Sequence, residues 1–184
     1  MPNQDIRIVD VLKIVLVVFI IVFLVRQYFF ANYIVNGESM MPTIEEGNRL
    51  LVNKFELEFR SPDRFDLIVF HANENEDYIK RVIGLPGDTI EYVNDQLYVN
   101  GEAVDDPYLD EYKKALVEGQ LTEDFTLFEK TGHQTVPKDH YFVLGDNRRH
   151  SYDSRHIGFV SQDEIVGIVN MRYWPLDRIQ INFD

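Results

Sequence analysis

The chain reads as a mainly β protein: an antiparallel β-sheet or barrel-like domain behind one N-terminal transmembrane helix, with a short helical insert. Three observations predict this class. After residue 48, short apolar or alternating runs recur, each closed by turn chemistry. The N-terminus carries one uninterrupted apolar stretch. A single acidic segment near residue 110 shows helical rather than alternating spacing.

The N-terminal stretch, Ile8 to Val25, reads IVDVLKIVLVVFIIVFLV, and residues 14–25 contain no polar side chain. As a helix it spans about 27 Å, close to the ~30 Å of a bilayer's hydrocarbon. Asp10 and Lys13 sit one turn apart near one end, where they pair or snorkel. Arg26, Tyr28, Phe29 and Phe30 supply a charged and aromatic margin. A cleavable leader needs a small-residue site after the run, which RQYFFANYIV lacks. A buried core helix alternates with polar positions, and this stretch does not. Residues 1–7 are thus read as a short cytoplasmic tail, 8–26 as a transmembrane anchor and 27–184 as an extracytoplasmic domain. Arg7 and Lys13 before the span, against Arg26 after it, place the N-terminus in the cytoplasm.

The 184 residues hold 18 Lys+Arg, 31 Asp+Glu and no cysteine. The mean hydropathy of −0.22 averages over two unlike parts. The first 26 residues carry three basic and two acidic side chains, which leaves 15 basic and 29 acidic, a net −14, for the rest. Such acidity argues against nucleic-acid binding, because phosphate would be repelled. Zero cysteines exclude disulfides, thiolate nucleophiles and thiolate metal sites.

The strands follow in order. Arg49–Phe55 and Phe65–His71 flank the breaker Ser61-Pro62-Asp63, and Tyr78–Gly84 ends at Leu85-Pro86-Gly87-Asp88. TIEYV and QLYV flank Asn94-Asp95, a hairpin signal, and Asn100-Gly101 marks a second tight turn. His140–Leu144 and Glu164–Arg172 complete the set. Residues 102–136 form an acidic insert. Within it Asp106 is expected to cap a helix that has Pro107 at its first position and Leu109, Tyr112 and Leu116 at helical spacing.

Three islands look chemical. In Gly37-Glu38-Ser39-Met40-Met41-Pro42-Thr43, glycine and proline constrain a serine, which suits a nucleophile with a fixed Oγ; a solvated turn serine has the same local sequence. In Tyr78-Ile79-Lys80-Arg81-Val82-Ile83-Gly84, alternation puts an apolar neighbour beside each cation. Desolvation there lowers a lysine's pKa, whereas on a half-exposed strand both cations merely snorkel. Gly145 to Arg155, GDNRRHSYDSR, packs charges and hydroxyls onto one loop, with Asp153 and Arg155 close enough to pair. The five histidines show no metal-ligand spacing, and a Ser39–His150–Asp153 triad is an alternative that sequence order alone leaves open.

Taken together and in order behind an apolar anchor, GESMMPT at 37–43, KRVIGLPGD at 80–88 and GDNRRHSYDSR at 145–155 resemble the type I signal peptidases of bacteria, in their short Gram-positive form. The resemblance runs on to Tyr173-Trp174-Pro175. It implies a membrane-bound serine endopeptidase that removes signal peptides from exported preproteins after small-x-small sequences, needing no metal or cofactor and only one chain. It assigns Ser39 as nucleophile, Lys80 as general base, and Ser151 as the hydroxyl that orients the lysine. Asp153 and Arg155 become the supporting ion pair, with Arg81 beside it. The oxyanion donor is the Ser39 N–H; Gly37 stands where some members carry a second, hydroxyl donor. Ile34, Val35 and Ile79 are candidates for lining the substrate site. Phe29, Phe30, Tyr33, Met40, Met41 and Trp174 are candidates for an apolar margin at the membrane. Self-cleaving repressor proteases share Ser–Lys chemistry, but their N-termini differ from an apolar anchor. A non-catalytic tethered β module would have no use for Ser39 and Lys80 together.

Overall fold

A computed structural model of the chain describes residues 8–183, with the backbone alone for 24–27 and 111. In chain order the elements are α1 (Ile8–Phe29), β1 (Phe30–Ile34), β2 (Arg49–Asn53), β3 (Leu67–Asn73), β4 (Glu76–Gly84), β5 (Ile90–Val93), β6 (Gln96–Val99), β7 (Glu102–Val104), α2 (Asp110–Ala115), β8 (Phe125–Thr126), α3 (Leu127–Thr131), β9 (His140–Leu144), α4 (Ser154–Ile157), β10 (Val160–Ser161), β11 (Ile165–Trp174) and β12 (Gln180–Ile181). One antiparallel sheet has the order β1-β2-β11-β3-β4-β9-β10, with β12 pairing β11; a second has the order β7-β6-β5-β8.

β3 shows why the large sheet is central. Its run Leu67-Ile68-Val69-Phe70 is buried throughout, with Leu67 and Val69 in one apolar cluster and Ile68 and Phe70 in another. A strand covered on both faces needs a continuous rather than alternating apolar sequence. The first cluster joins β2, β3 and β11 to Val35, Met40 and Ile44 of the turn after β1. A third cluster packs Ile83 of β4 and Phe142 and Leu144 of β9 against Tyr92, Leu97 and Phe125 of the small sheet.

The hairpin signals are borne out: Asn94 and Asp95 (φ 50° and 64°) turn β5 into β6, and Asn100 and Gly101 (φ 54° and 82°) turn β6 into β7. Several expectations are corrected. Phe30–Ile34 is a strand paired with β2, so Phe30 and Tyr33 belong to a sheet edge. Met40, 2% exposed, is core and no part of a membrane margin. Asp106 caps no helix; Pro107–Leu109 is a 3₁₀ turn, and the Asp106 carboxylate accepts instead from Lys113 Nζ and Tyr92 Oη. The acidic insert is part of the packed fold. It supplies β7, β8 and the buried Leu109, Leu121, Phe125 and Leu127.

α1 has 22 residues, and its described apolar side chains from Ile8 to Phe23 are exposed. Among the described residues no helix is long and apolar enough to cross a membrane. The spanning reading of 8–26 therefore rests on the sequence.

Candidate active site

β1 ends at Ile34, and residues 35–48 fold back to β2 as a tight excursion that carries Ser39. Val35, Met40 and Ile44 drive this excursion into the core, and Gly37 takes the left-handed φ of 91° that its turn requires. Ser39 is left at the mouth of a cleft of about 330 Å³. The cleft is lined by residues 33–40 on one side and 77–80 of β4 on the other, with His150 and Tyr152 at its rim. It thus gathers Ser39, Lys80, Ile34, Val35 and Ile79, all anticipated from the sequence, into one place.

Lys80 Nζ lies 2.8 Å from Ser39 Oγ and donates to Ile79 O at 3.1 Å. The lysine is 4% exposed. Burial lowers its pKa from the ordinary 10.5 to about 8, against the pull of Asp153 and Asp146, whose negative charges favour the ammonium. The hydroxyl's partner is therefore an amine that becomes neutral near physiological pH. Asp153 turns to Arg155 and to the Gly145 N–H, so a Ser39–His150–Asp153 triad does not form. Burial would raise the Asp153 pKa, but the hydrogen bonds and charge of Arg155 outweigh it and hold the carboxyl below the usual range.

The loop after β9 grips the serine. The Asn147 N–H donates to Ser39 O at 3.0 Å, and Asn147 Nδ2 donates to Glu38 O at 3.1 Å. Asp146 accepts from Thr43 Oγ1 at 2.6 Å and from Arg81 Nε and Nη2 at 2.9 and 2.7 Å. Arg81 and Asp146 are 0% and 1% exposed. Burial disfavours the guanidinium charge, yet Asp146 more than compensates and Arg81 stays charged. The counter-ion of Arg81 is thus Asp146, which the sequence reading did not name. At Gly145 a Cβ would overlap Ser151 and lie 2.5 Å from Ser39 O, so only glycine lets the loop close on the serine. Arg148, wholly buried, donates to Gly145 O, Thr122 Oγ1 and Tyr108 Oη, tying the loop to the insert.

Ser151 departs from expectation. Its Oγ is buried and no hydrogen bond of normal geometry reaches it, although the Asp153 carboxylate lies near enough to feel the hydroxyl. The structure brings Ser151 against Gly145, beside the serine turn, without bonding it to Lys80. Among the described residues nothing accepts from the Ser39 N–H.

Comparison with known proteins agrees with this geometry. Residues 8–174 match the family model described as "Signal peptidase, peptidase S26". The chain belongs to the signal peptidase family. It is 58% identical over 158 residues to "Signal peptidase I" of Bacillus caldolyticus, covering 86% of this chain and 87% of that protein. It is 42% identical over 172 residues to "Signal peptidase IB" of Staphylococcus aureus (strain MRSA252), covering 91% and 90%. A crystal structure of a signal peptidase I from Enterococcus faecalis V583 superposes with a TM-score of 0.56 at 46% identity, over 59% of this chain and 97% of that one. Signal peptidases I are serine peptidases that remove signal peptides from preproteins, and this chain is such an enzyme.

Asp146, Asn147 and Arg148 are the residues that sequence reasoning missed in this signal peptidase. Their signal was the Gly145-Asp146-Asn147 start of the loop, which the sequence alone presents as a polar turn. Replacing Asp146 by Asn leaves the buried Arg81 charge without its counter-ion. Urea unfolding of Asp146→Asn is expected to show a loss of about 3–5 kcal/mol; a loss within 1 kcal/mol would mean the pair carries little of the fold.

Proposed function

We propose that this signal peptidase is a membrane-anchored endopeptidase that uses a Ser39–Lys80 dyad to cut exported preproteins after small-x-small sequences. The observation that carries the proposal is the 2.8 Å contact between Ser39 Oγ and a buried lysine whose pKa lies at about 8. Neutral Lys80 accepts the hydroxyl proton while Ser39 Oγ attacks the scissile carbonyl. The unengaged Ser39 N–H stabilises the developing oxyanion; a donor of this kind is worth about 3–4 kcal/mol. The ammonium then protonates the leaving amine, the peptide bond breaks, and the neutral lysine activates water to hydrolyse the acyl-enzyme.

The substrate groove follows from strand pairing. β3 covers β4 from Glu76 to Arg81, but β9 pairs with β4 only from Arg81 onward. Residues 76–80 therefore keep one free edge, along which an extended chain adds as a strand. Ile79 packs on the cluster that contains Val35, and Ile34 is 60% exposed beside them. These three side chains form the wall that admits small apolar residues and excludes large ones.

The anchor reading rests on the sequence, on the apolar run from Ile8 to Val25. At the foot of α1 Phe29, Phe55 and Phe59 stack edge-to-face, with centroids 4.4 and 4.6 Å apart. Whereas Trp174, paired with Arg49, lies at the other end of β2, Phe55 and Phe59 are exposed at this foot. Aromatic side chains at this position suit the bilayer interface. The catalytic domain then stands outside the cytoplasm, next to the apolar segments of its substrates.

A preprotein with an Ala-x-Ala site is expected to be cut by the full chain, with kcat/KM lowered at least about a thousandfold in Ser39→Ala and in Lys80→Ala. Below pH about 8 Lys80 carries a proton and accepts none, so kcat/KM should fall about tenfold per pH unit there and level off above. Near-normal turnover by Lys80→Ala, or cleavage of nothing but the chain itself, would reject the mechanism. The full chain should also remain with membranes through alkaline carbonate washing and be extracted by detergent; release by carbonate would remove the anchor.

A further inference from the structure

Asn147 holds both peptide units that flank Ser39. Its backbone N–H donates to Ser39 O at 3.0 Å, and its side-chain Nδ2 donates to Glu38 O at 3.1 Å. The second contact bears on the oxyanion donor. The Glu38 carbonyl and the Ser39 N–H belong to one planar trans peptide and point in opposite directions. A donor that pins the carbonyl therefore sets where the N–H is aimed. Met41 N–H, from within the turn itself, donates to the same oxygen at 3.1 Å, whereas Asn147 reaches it from outside the turn. Gly37 has no side chain with which to add a second donor, so the aim of this one N–H matters the more.

The amide of Asn147 is itself held, and the residue is 4% exposed. Glu38 O only accepts, so Nδ2 faces it and Oδ1 is left for a donor. Tyr112 Oη supplies one at 3.4 Å. Tyr112 lies half-buried on α2, in the acidic insert, next to Lys113, whose Nζ donates to Asp106. The buried Asp106 carboxylate also accepts from Tyr92 Oη of the small sheet. A connected path thus runs from the small sheet through the insert to the peptide that presents the Ser39 N–H.

We propose that Asn147 is a positioning residue for the oxyanion donor, and that through Tyr112 the acidic insert supports it. The proposal rests on the Ser39–Lys80 reading above. As Ser39 Oγ bonds to the scissile carbon, an electron pair of the carbonyl moves onto its oxygen, and the Ser39 N–H meets that charge. A peptide free to turn would have to be ordered as the charge forms, which raises the barrier. The Asn147 side chain acts on this peptide and not on the base, since Lys80 Nζ has Ser39 Oγ and Ile79 O as its partners. Loss of the Nδ2 contact therefore weakens transition-state binding while leaving substrate binding and the protonation of Lys80 as they were. A loop that merely packed against the turn would alter all three.

The test uses the full chain in detergent, as wild type, Asn147→Ala, Tyr112→Phe and the double variant, with peptides carrying an Ala-x-Ala site. A peptide aldehyde of the same sequence serves as inhibitor, because its adduct with Ser39 puts an oxygen where the oxyanion forms. Asn147→Ala is expected to lower kcat about 10- to 100-fold, with KM within about twofold and the midpoint of the pH profile unmoved. The aldehyde's inhibition constant should rise by the same factor as kcat/KM falls. Tyr112→Phe should lower kcat about two- to fivefold in the wild type and leave it unchanged in Asn147→Ala. Should Asn147→Ala not fold, Tyr112→Phe alone must still lower kcat at constant KM. Unchanged kcat in Asn147→Ala, a displaced pH midpoint, or a loss carried by KM would overturn the assignment, and equal effects of Tyr112→Phe in both backgrounds would remove the insert from it. A wild type that cuts none of the peptides, or Ser39→Ala cutting them as well as the wild type, would instead reject the dyad reading and the positioning role with it.

Discussion

The buried ion pair between Arg81 and Asp146 is the interaction on which the site depends. Arg81 follows Lys80 directly on β4, so fixing its guanidinium fixes the strand where the lysine leaves it. The same Asp146 carboxylate accepts from Thr43, at the end of the serine turn, and the next residue, Asn147, holds the carbonyls of Glu38 and Ser39. Segments that lie 41 and 65 residues apart in the chain thereby converge on one bidentate contact. A pair this deep adds little net stability compared with apolar residues of the same shape, because desolvation offsets the attraction. Its contribution is geometric: it sets where Lys80 and Ser39 meet.

The lysine itself works against the fold. With a folded pKa of about 8 and an unfolded value near 10.5, the unfolded chain binds the proton more tightly. Stability attributable to this group therefore rises with pH between those values, and below pH 8 its burial costs about 3 kcal/mol. The strain is borne by the apolar clusters on either side of β3 and β4 and by the loop network of Asp146, Arg148 and Asp153. What that cost provides is an amine that gives up its proton near pH 8 rather than near 10.5.

Much of this architecture is legible from local sequence, and the physical reasons are specific. Asn94-Asp95 and Asn100-Gly101 announce their hairpins because they tolerate left-handed backbone. The runs around Ile68 and Val143 announce strands because both faces are buried. Ser39 and Lys80 become legible only in combination, since a turn serine and a strand lysine are each commonplace. Long-range partners are what a local reading misses. Nothing near Arg81 names Asp146 as its counter-ion, and the resemblance only set Arg81 beside the Asp153–Arg155 pair. Tyr33 and Phe30 read as interfacial aromatics because the strand they form borrows its pairing from β2. Asp106 looked like a helix cap because Pro107 follows it, while Lys113 and Tyr92 offered its carboxylate better partners.

The central claim is that burial lowers the pKa of Lys80, within reach of Ser39, to about 8. A direct test is the NMR titration of Lys80 in the full chain in detergent micelles, with lysine side chains isotopically labelled and the resonance assigned by its loss in Lys80→Ala. The account predicts a midpoint at about pH 8. A midpoint near 10.5, the value of an exposed lysine, would contradict it.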